Sequence, residues 1–167
     1  MQPLSEDISE ELANWNSSGK IDQDVHEAFD VARWARILAV VGHGRSAGLA
    51  IYASTLFNTM QIAAVPIVEL SAFVPSLWQE EVVAISISHS GKTQETLATT
   101  ERFIAGGSQT IAITANGKSP LARMADVVVA YNDPGIDIPA LSRFSTRLPA
   151  LYVIESLGRL LYNEQFA

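Results

Sequence analysis

The residues with the clearest chemical potential stand in one run, Ser88-His89-Ser90-Gly91-Lys92-Thr93. Hydroxyls, an imidazole, an ammonium and a glycine crowd this run, and no carboxylate interrupts it. Such a set suits an anion, because the hydroxyls donate hydrogen bonds and Gly91 lets the backbone approach closely. An apolar, β-branched run at 82–87 precedes it, as expected of a buried parallel strand, and a helical run follows from 94 to about 104. The start of that helix adds unpaired N–H groups and the positive end of a dipole. For a single loop of this kind, the plainer reading is a turn that only caps a helix.

A second loop of the same design shifts the balance. Ile37-Leu38-Ala39-Val40-Val41 reads as a strand, Gly42-His43-Gly44-Arg45-Ser46 as a turn, and residues 47–60 as a helix. Gly42 and Gly44 permit a tight turn, while Arg45 and Ser46 supply donors. The spacing Gly42-x-Gly44-x-x-Ala47 also satisfies a loose dinucleotide fingerprint, and Glu69 lies near where a ribose-binding acid would stand. That nucleotide reading leaves the hydroxyl loop without a purpose.

The elements that must hold these loops alternate between strand and helix. Residues 63–70 form a strand edged by Pro66. A short helical connection at 71–78 carries Phe73 and Trp78, read as core or interface residues. Gly106-Gly107 ends the helix of the hydroxyl loop, and 110–114 is the next strand. Asn116-Gly117 turns the chain, Ser119-Pro120 opens a short helix, and 127–130 is the last strand. This alternation predicts an α/β fold with a parallel sheet covered on both faces. Residues 1–30 are polar and acidic, with helices expected at 6–15 and 22–36, and read as an N-terminal helical arm before a domain at 31–167. Residues 131–139 include Asp133 and Asp137 but no ligand spacing for a metal, so a plain loop is expected. A helix at 146–162, apolar nearly all round, must be buried, and a second subunit is the expected cover. Pro149 falls in its first turn if Thr146 caps it.

Composition narrows the function classes. With 167 residues, 48% of them hydrophobic, the chain can bury one real core. A net charge of -7 argues against a nucleic-acid surface, though not against one small phosphate in a locally positive pocket. The absence of cysteine removes disulfides and thiolate chemistry. No apolar run reaches the roughly 18 residues of a membrane span, and the first residues do not open a signal peptide, so no membrane contact and a cytoplasmic location are expected. No metal and no cofactor is called for.

Taken together, the two loops resemble those of the SIS, or sugar isomerase, domain family. The later Ile111-Ala112-Ile113-Thr114-Ala115-Asn116-Gly117-Lys118-Ser119-Pro120-Leu121-Ala122 and Ala125-Asp126 resemble the same family, and the resemblance runs from about residue 31 to 161. It implies a doubly wound three-layer α/β/α sandwich, flavodoxin-like, around a five-stranded parallel sheet. It also implies phosphosugar binding and a homodimer or homotetramer with sites near subunit contacts. By position, Ser46 matches the hydroxyl of the first loop, and Ser88, Ser90 and Thr93 match the phosphate-cradling hydroxyls of the second. Gly44, Arg45, His89 and Gly91 complete the expected ligand-binding set. Within the family, the run 146–155 is similar to the arginine-led last helix of the sugar-sensing half of RpiR-type regulators, which adds Arg147 to that set. The chain lacks the helix-turn-helix domain that precedes this half in those regulators, since 1–30 is too short and too acidic, so it reads as a free-standing domain or a fragment.

Two functions follow. One is a binding module for a small phosphosugar, sensory or regulatory. The other is an aldose–ketose phosphosugar isomerase, which needs a base within hydrogen-bond reach of the substrate. The candidate bases are His89, His43 and Glu155, with Glu69 and Glu95 behind them. The family's isomerases often place a glutamate near the start of the last helix, where this chain has Arg147.

Overall fold

A computed structural model describes residues 19–69, 81–131 and 146–166. The expected helix at 6–15, the connection at 71–78 and the loop beyond Tyr131 lie outside these residues. Five strands form one sheet: β1 Ile37–Val41, β2 Ala64–Ile67, β3 Val82–Ile87, β4 Gln109–Thr114 and β5 Val127–Ala130. All pair in parallel, in the order β2-β1-β3-β4-β5. The central β3 is buried at every position, which is why its sequence is apolar without alternation. Pro66 sits on the edge strand β2 opposite Val40, where its missing N–H interrupts no inner ladder. β2 is shorter than the sequence suggests, ending at Ile67.

The described helices are α1 Lys20–Ala32, α2 Ala47–Thr59, α3 Gln94–Ala105, α4 Pro120–Met124 and α5 Leu148–Phe166. Strand periodicity sorts them onto two faces. Leu38 and Val40 of β1 join Ile85 and Ile111 in a core that α1, α2 and α5 cover with Val25, Phe57 and Leu157. Ala39 and Val41 point the other way, where Phe103 of α3 closes a smaller core with Ile67 and Ala84. Burying a side chain such as Phe103, 1% exposed, is worth about 1.5–3 kcal/mol. Helices on both sides of a five-stranded parallel sheet make the expected three layers.

Two expectations meet a different packing. The helix foreseen at 22–36 spans Lys20–Ala32, across the boundary drawn between arm and domain, and its Ile21, Val25, Ala28 and Ala32 belong to the main core. The apolar stripe of α5, for which a second subunit is the expected cover, is covered largely from within the chain. Ala150, Val153, Ile154, Leu157 and Leu161 are buried in one copy. At Gly158 a Cβ would come within 3.3 Å of Phe57 and Met60, so α5 rides close on the end of α2. Leu148, 38% exposed, and Tyr162 remain open. Thr146 Oγ1 accepts from Leu148 N at 3.2 Å, and Pro149 falls in the first turn of α5.

Candidate functional site

After β1 the chain turns toward β2 on one side, and after β3 toward β4 on the other. The loops leaving the two adjacent strands therefore part, and a crevice opens at their carboxyl ends. Gly42–Ser46 and Ser88–Thr93 are those loops. A cleft of about 200 Å³ lies between them. The first loop contributes His43, Gly44, Arg45 and Ser46 to its wall, and the second contributes His89, Ser90 and Thr93. Arg147, one residue before α5, closes the set.

Of the nine expected ligand-binding residues, the cleft wall holds Gly44, Arg45, Ser46, His89, Ser90, Thr93 and Arg147. Ser88 and Gly91 stand behind it and shape the loop. Ser88 is 1% exposed; its hydroxyl accepts from Gly91 N at 3.2 Å and pairs with Thr93 Oγ1 at 3.1 Å. Gly91 has φ +63°, and a Cβ there would meet Ser119 Oγ at 2.1 Å and Ser119 Cβ at 2.4 Å. The close approach that Gly91 permits is thus to the start of α4, where Ser119 Oγ caps Ala122 N at 3.2 Å. Leu121 N also donates to Gly91 O at 3.1 Å. Gly42 serves a similar end, because a Cβ there would lie 2.6 Å from Ser46 O.

The wall is rich in donors. Two helices, α2 and α3, begin at the cleft, and neither Ser46 nor Thr93 caps its helix with its own side chain. The first-turn N–H groups of α3 have no intrahelical acceptor, and its dipole favours an anion there, whereas a 3-10 turn at Gly44–Ser46 runs into α2 and Ala47 N already donates to Gly44 O. Ser90 Oγ accepts from Lys92 N at 3.2 Å, which leaves its O–H to donate. Arg45 and Arg147 bring positive charge to a chain whose net charge is -7.

His43 is 7% exposed, and its Nδ1 lies 3.2 Å from Thr96 Oγ1 in α3. Its Nε2 is buried with no hydrogen-bond partner among the described residues. Burial lowers the ring's pKa below 6.5 against the opposing charge of Glu95, so the ring is neutral at pH 7. The network assigns the tautomer. If Nδ1–H donated to Thr96, both the Thr96 hydroxyl proton and the Nε2 lone pair would be stranded. If the Thr96 O–H donates to Nδ1, only Nε2–H lacks a partner. Each stranded buried group costs about 1–3 kcal/mol, so the second arrangement wins, and Nε2–H is a donor. His89, also 7% exposed, hydrogen-bonds Tyr131 OH through Nδ1 at 2.9 Å. Its backbone O accepts from Ala115 N and Thr114 Oγ1, so the ring is fixed between β4 and β5.

The carboxylate candidates stand apart. Tyr52 O–H donates to Glu155, which ties α2 to α5, and this bond raises the Tyr52 pKa. Neither Glu155 nor the exposed Glu95 and Glu69 lines the cleft. Among the described residues no group of three His, Asp or Glu could hold a metal. Sequence reasoning missed Thr96 and Tyr131, the partners of the two histidines. The one local signal was Tyr131 following the last strand directly.

Comparison with known proteins agrees with this architecture. The family described as "SIS domain" matches residues 32–157. A glutamine–fructose-6-phosphate aminotransferase (isomerizing) of Pyrobaculum aerophilum is 28% identical over 138 residues. The match covers 78% of this chain but spans only 23% of that enzyme's length. The sugar isomerase domain of an RpiR transcription factor from Sphaerobacter thermophilus superimposes with a TM-score of 0.81 at 20% identity, covering 98% of this chain and 92% of that one. The Vibrio vulnificus NanR protein, complexed with ManNAc-6P, superimposes with a TM-score of 0.80 at 15% identity, covering 94% and 61%. No described helix is long and apolar enough to cross a membrane.

Proposed function

This chain belongs to the SIS domain family, and on that premise we propose that it binds a phosphosugar in the crevice between β1 and β3 without isomerising it. The observation that carries the reading is the convergence of Ser46, Ser90 and Thr93 with the start of α3 on one cleft. A phosphate there receives hydroxyl and backbone donors at the positive end of a helix. The ligand in the NanR complex and the substrate in the aminotransferase's name are both sugar phosphates, which supports the same ligand class here. The likeness to the sugar isomerase domain of a transcription factor supports a sensory role. Arg147 holds a ligand oxygen through its fork of donors; its guanidinium stays protonated and cannot act as a base. His43 presents a donor. The exposed Ile51, Tyr52 and Leu148, near the starts of α2 and α5, support contact with a second copy of the chain beside the cleft.

The isomerase reading keeps one observation in its favour, since His89 lines the cleft and is oriented by Tyr131. An NMR assay in deuterated water separates the two readings. Aldose and ketose phosphates that bind should keep their C1 and C2 protons at the background rate. Enzyme-dependent exchange of either proton would establish turnover and point to His89 as the base.

A further inference from the structure

Within the cleft wall, His43 is held in a charge state that a bound anion would change. Its Nδ1 lies 3.2 Å from Thr96 Oγ1, and Thr96 is in the first turn of α3. The ring therefore packs on the helix whose start, with Ser90 and Thr93, makes the proposed phosphate cradle. A hydroxyl donates to Nδ1 of a neutral ring and accepts from Nδ1–H of a protonated one, so this contact survives a change of charge. His43 Nε2 is buried and has no hydrogen-bond partner among the described residues. An imidazolium in the empty cleft would bury a charged N–H without an acceptor, which is costly. The charged and titratable groups around the ring are Glu95 beside Thr96, Arg45 on its own loop, His89 on the hydroxyl loop and Arg147 before α5. Burial outweighs the attraction of Glu95, and the guanidiniums and the positive end of α3 also oppose a proton on the ring.

A phosphate seated on the start of α3 reverses that balance. It brings negative charge and acceptor oxygens to the helix turn on which the ring lies, and an adjacent opposite charge favours the protonated form. We infer that anion binding in the β1–β3 crevice is coupled to proton uptake by His43, whose ring is neutral while the cleft is empty and an imidazolium while a phosphate occupies it. The proton comes from solvent, and no bond of the ligand changes. This rests on the phosphosugar reading and adds a control to it. By linkage, the site holds its ligand more tightly as pH falls below neutrality, until the phosphate itself takes a proton near about pH 6.

NMR pH titration of the histidine rings in the full chain tests this, run in sodium sulfate and in sodium chloride of equal ionic strength. Sulfate stays a dianion across the titration, so any proton taken up on its binding belongs to the protein. The chain has three histidines; His43→Gln identifies the His43 signal, and His26, exposed on α1, reports any general salt effect. In sulfate the His43 midpoint should rise by at least about one pH unit. Sulfate affinity should rise at least about threefold between about pH 8 and about pH 5.5, and His43→Gln should lose most of that rise. If sulfate shifts the Ser90 and Thr93 amide signals but leaves the His43 midpoint in place, or moves that of His89 alone, the proton inference fails and the phosphosugar reading stands. If sulfate shifts none of these signals, the cleft is no anion site and both fail.

Discussion

Replacing Gly91 by alanine tests how the hydroxyl loop is held. The residue has φ +63°, where a side chain costs about 1–2 kcal/mol. The new Cβ would lie 2.1 Å from Ser119 Oγ and 2.4 Å from Ser119 Cβ, so one of the two chains must move. Overpacking of this kind costs about 1–3 kcal/mol. Ser119 cannot rotate away without giving up its bond to Ala122 N, a cap worth about 1 kcal/mol. The sum is about 3–6 kcal/mol, of which roughly 2–4 belongs to the contact with Ser119. Urea unfolding followed by circular dichroism should therefore show a large loss for Gly91→Ala. In a Ser119→Gly background the same change should cost only the conformational part, about 1–2 kcal/mol. A loss in wild type below about 1 kcal/mol, or an equal loss in both backgrounds, would refute the reasoning. Such a result would mean that the loop is held by Ser88 and Thr93 alone.

Two further outcomes are expected. Light scattering at micromolar concentration should give a dimer or a tetramer, because Ile51, Tyr52 and Leu148 stay exposed; a monomer would mean that α1 and α2 cover all of α5 that needs covering. The second concerns acid. Burial depresses the His43 pKa below 6.5, so as pH falls through 6.5 the unfolded chain takes up a proton that the folded chain does not. Stability should then fall, and the loss should stop growing once the folded ring itself protonates. Between about pH 7 and about pH 5, His43→Gln should lose less stability than wild type; an equal loss in both would place the His43 ring at its ordinary pKa.

The strands were legible because parallel strands buried on both sides read as unbroken apolar runs. Val127–Ala130 and Val82–Ile87 have the bounds that their sequences suggest. The cleft was legible in its two loops, since each follows such a run directly and their residue types suit an anion. What escaped depends on which elements become neighbours. Thr96 finds His43 only because β1 and β3 lie side by side, and Tyr131 finds His89 only because β5 follows β4 in the sheet. Ser88 and Gly91 carry the types of a phosphate cradle, yet Gly91 packs on Ser119, which is 28 residues away in sequence. For α5, the spacing of its apolar residues said that it must be buried. That α1 and α2 would bury most of it could not be read, because the helical spacing of Val25 and Ala32 shows an apolar face but not which helix that face meets.

The central claim is that the β1–β3 crevice binds a phosphosugar through the hydroxyl loop. Calorimetric titration with hexose, pentose and amino-sugar phosphates, beside the same sugars without phosphate and NAD, tests it most directly. At least one phosphosugar should bind, with neither its parent sugar nor NAD doing so. Ser90→Ala and Thr93→Ala should each weaken that binding by about 1.5–3 kcal/mol while leaving the circular dichroism spectrum unchanged. Binding of NAD in preference to every phosphosugar, or undiminished phosphosugar affinity in both variants, would contradict the account.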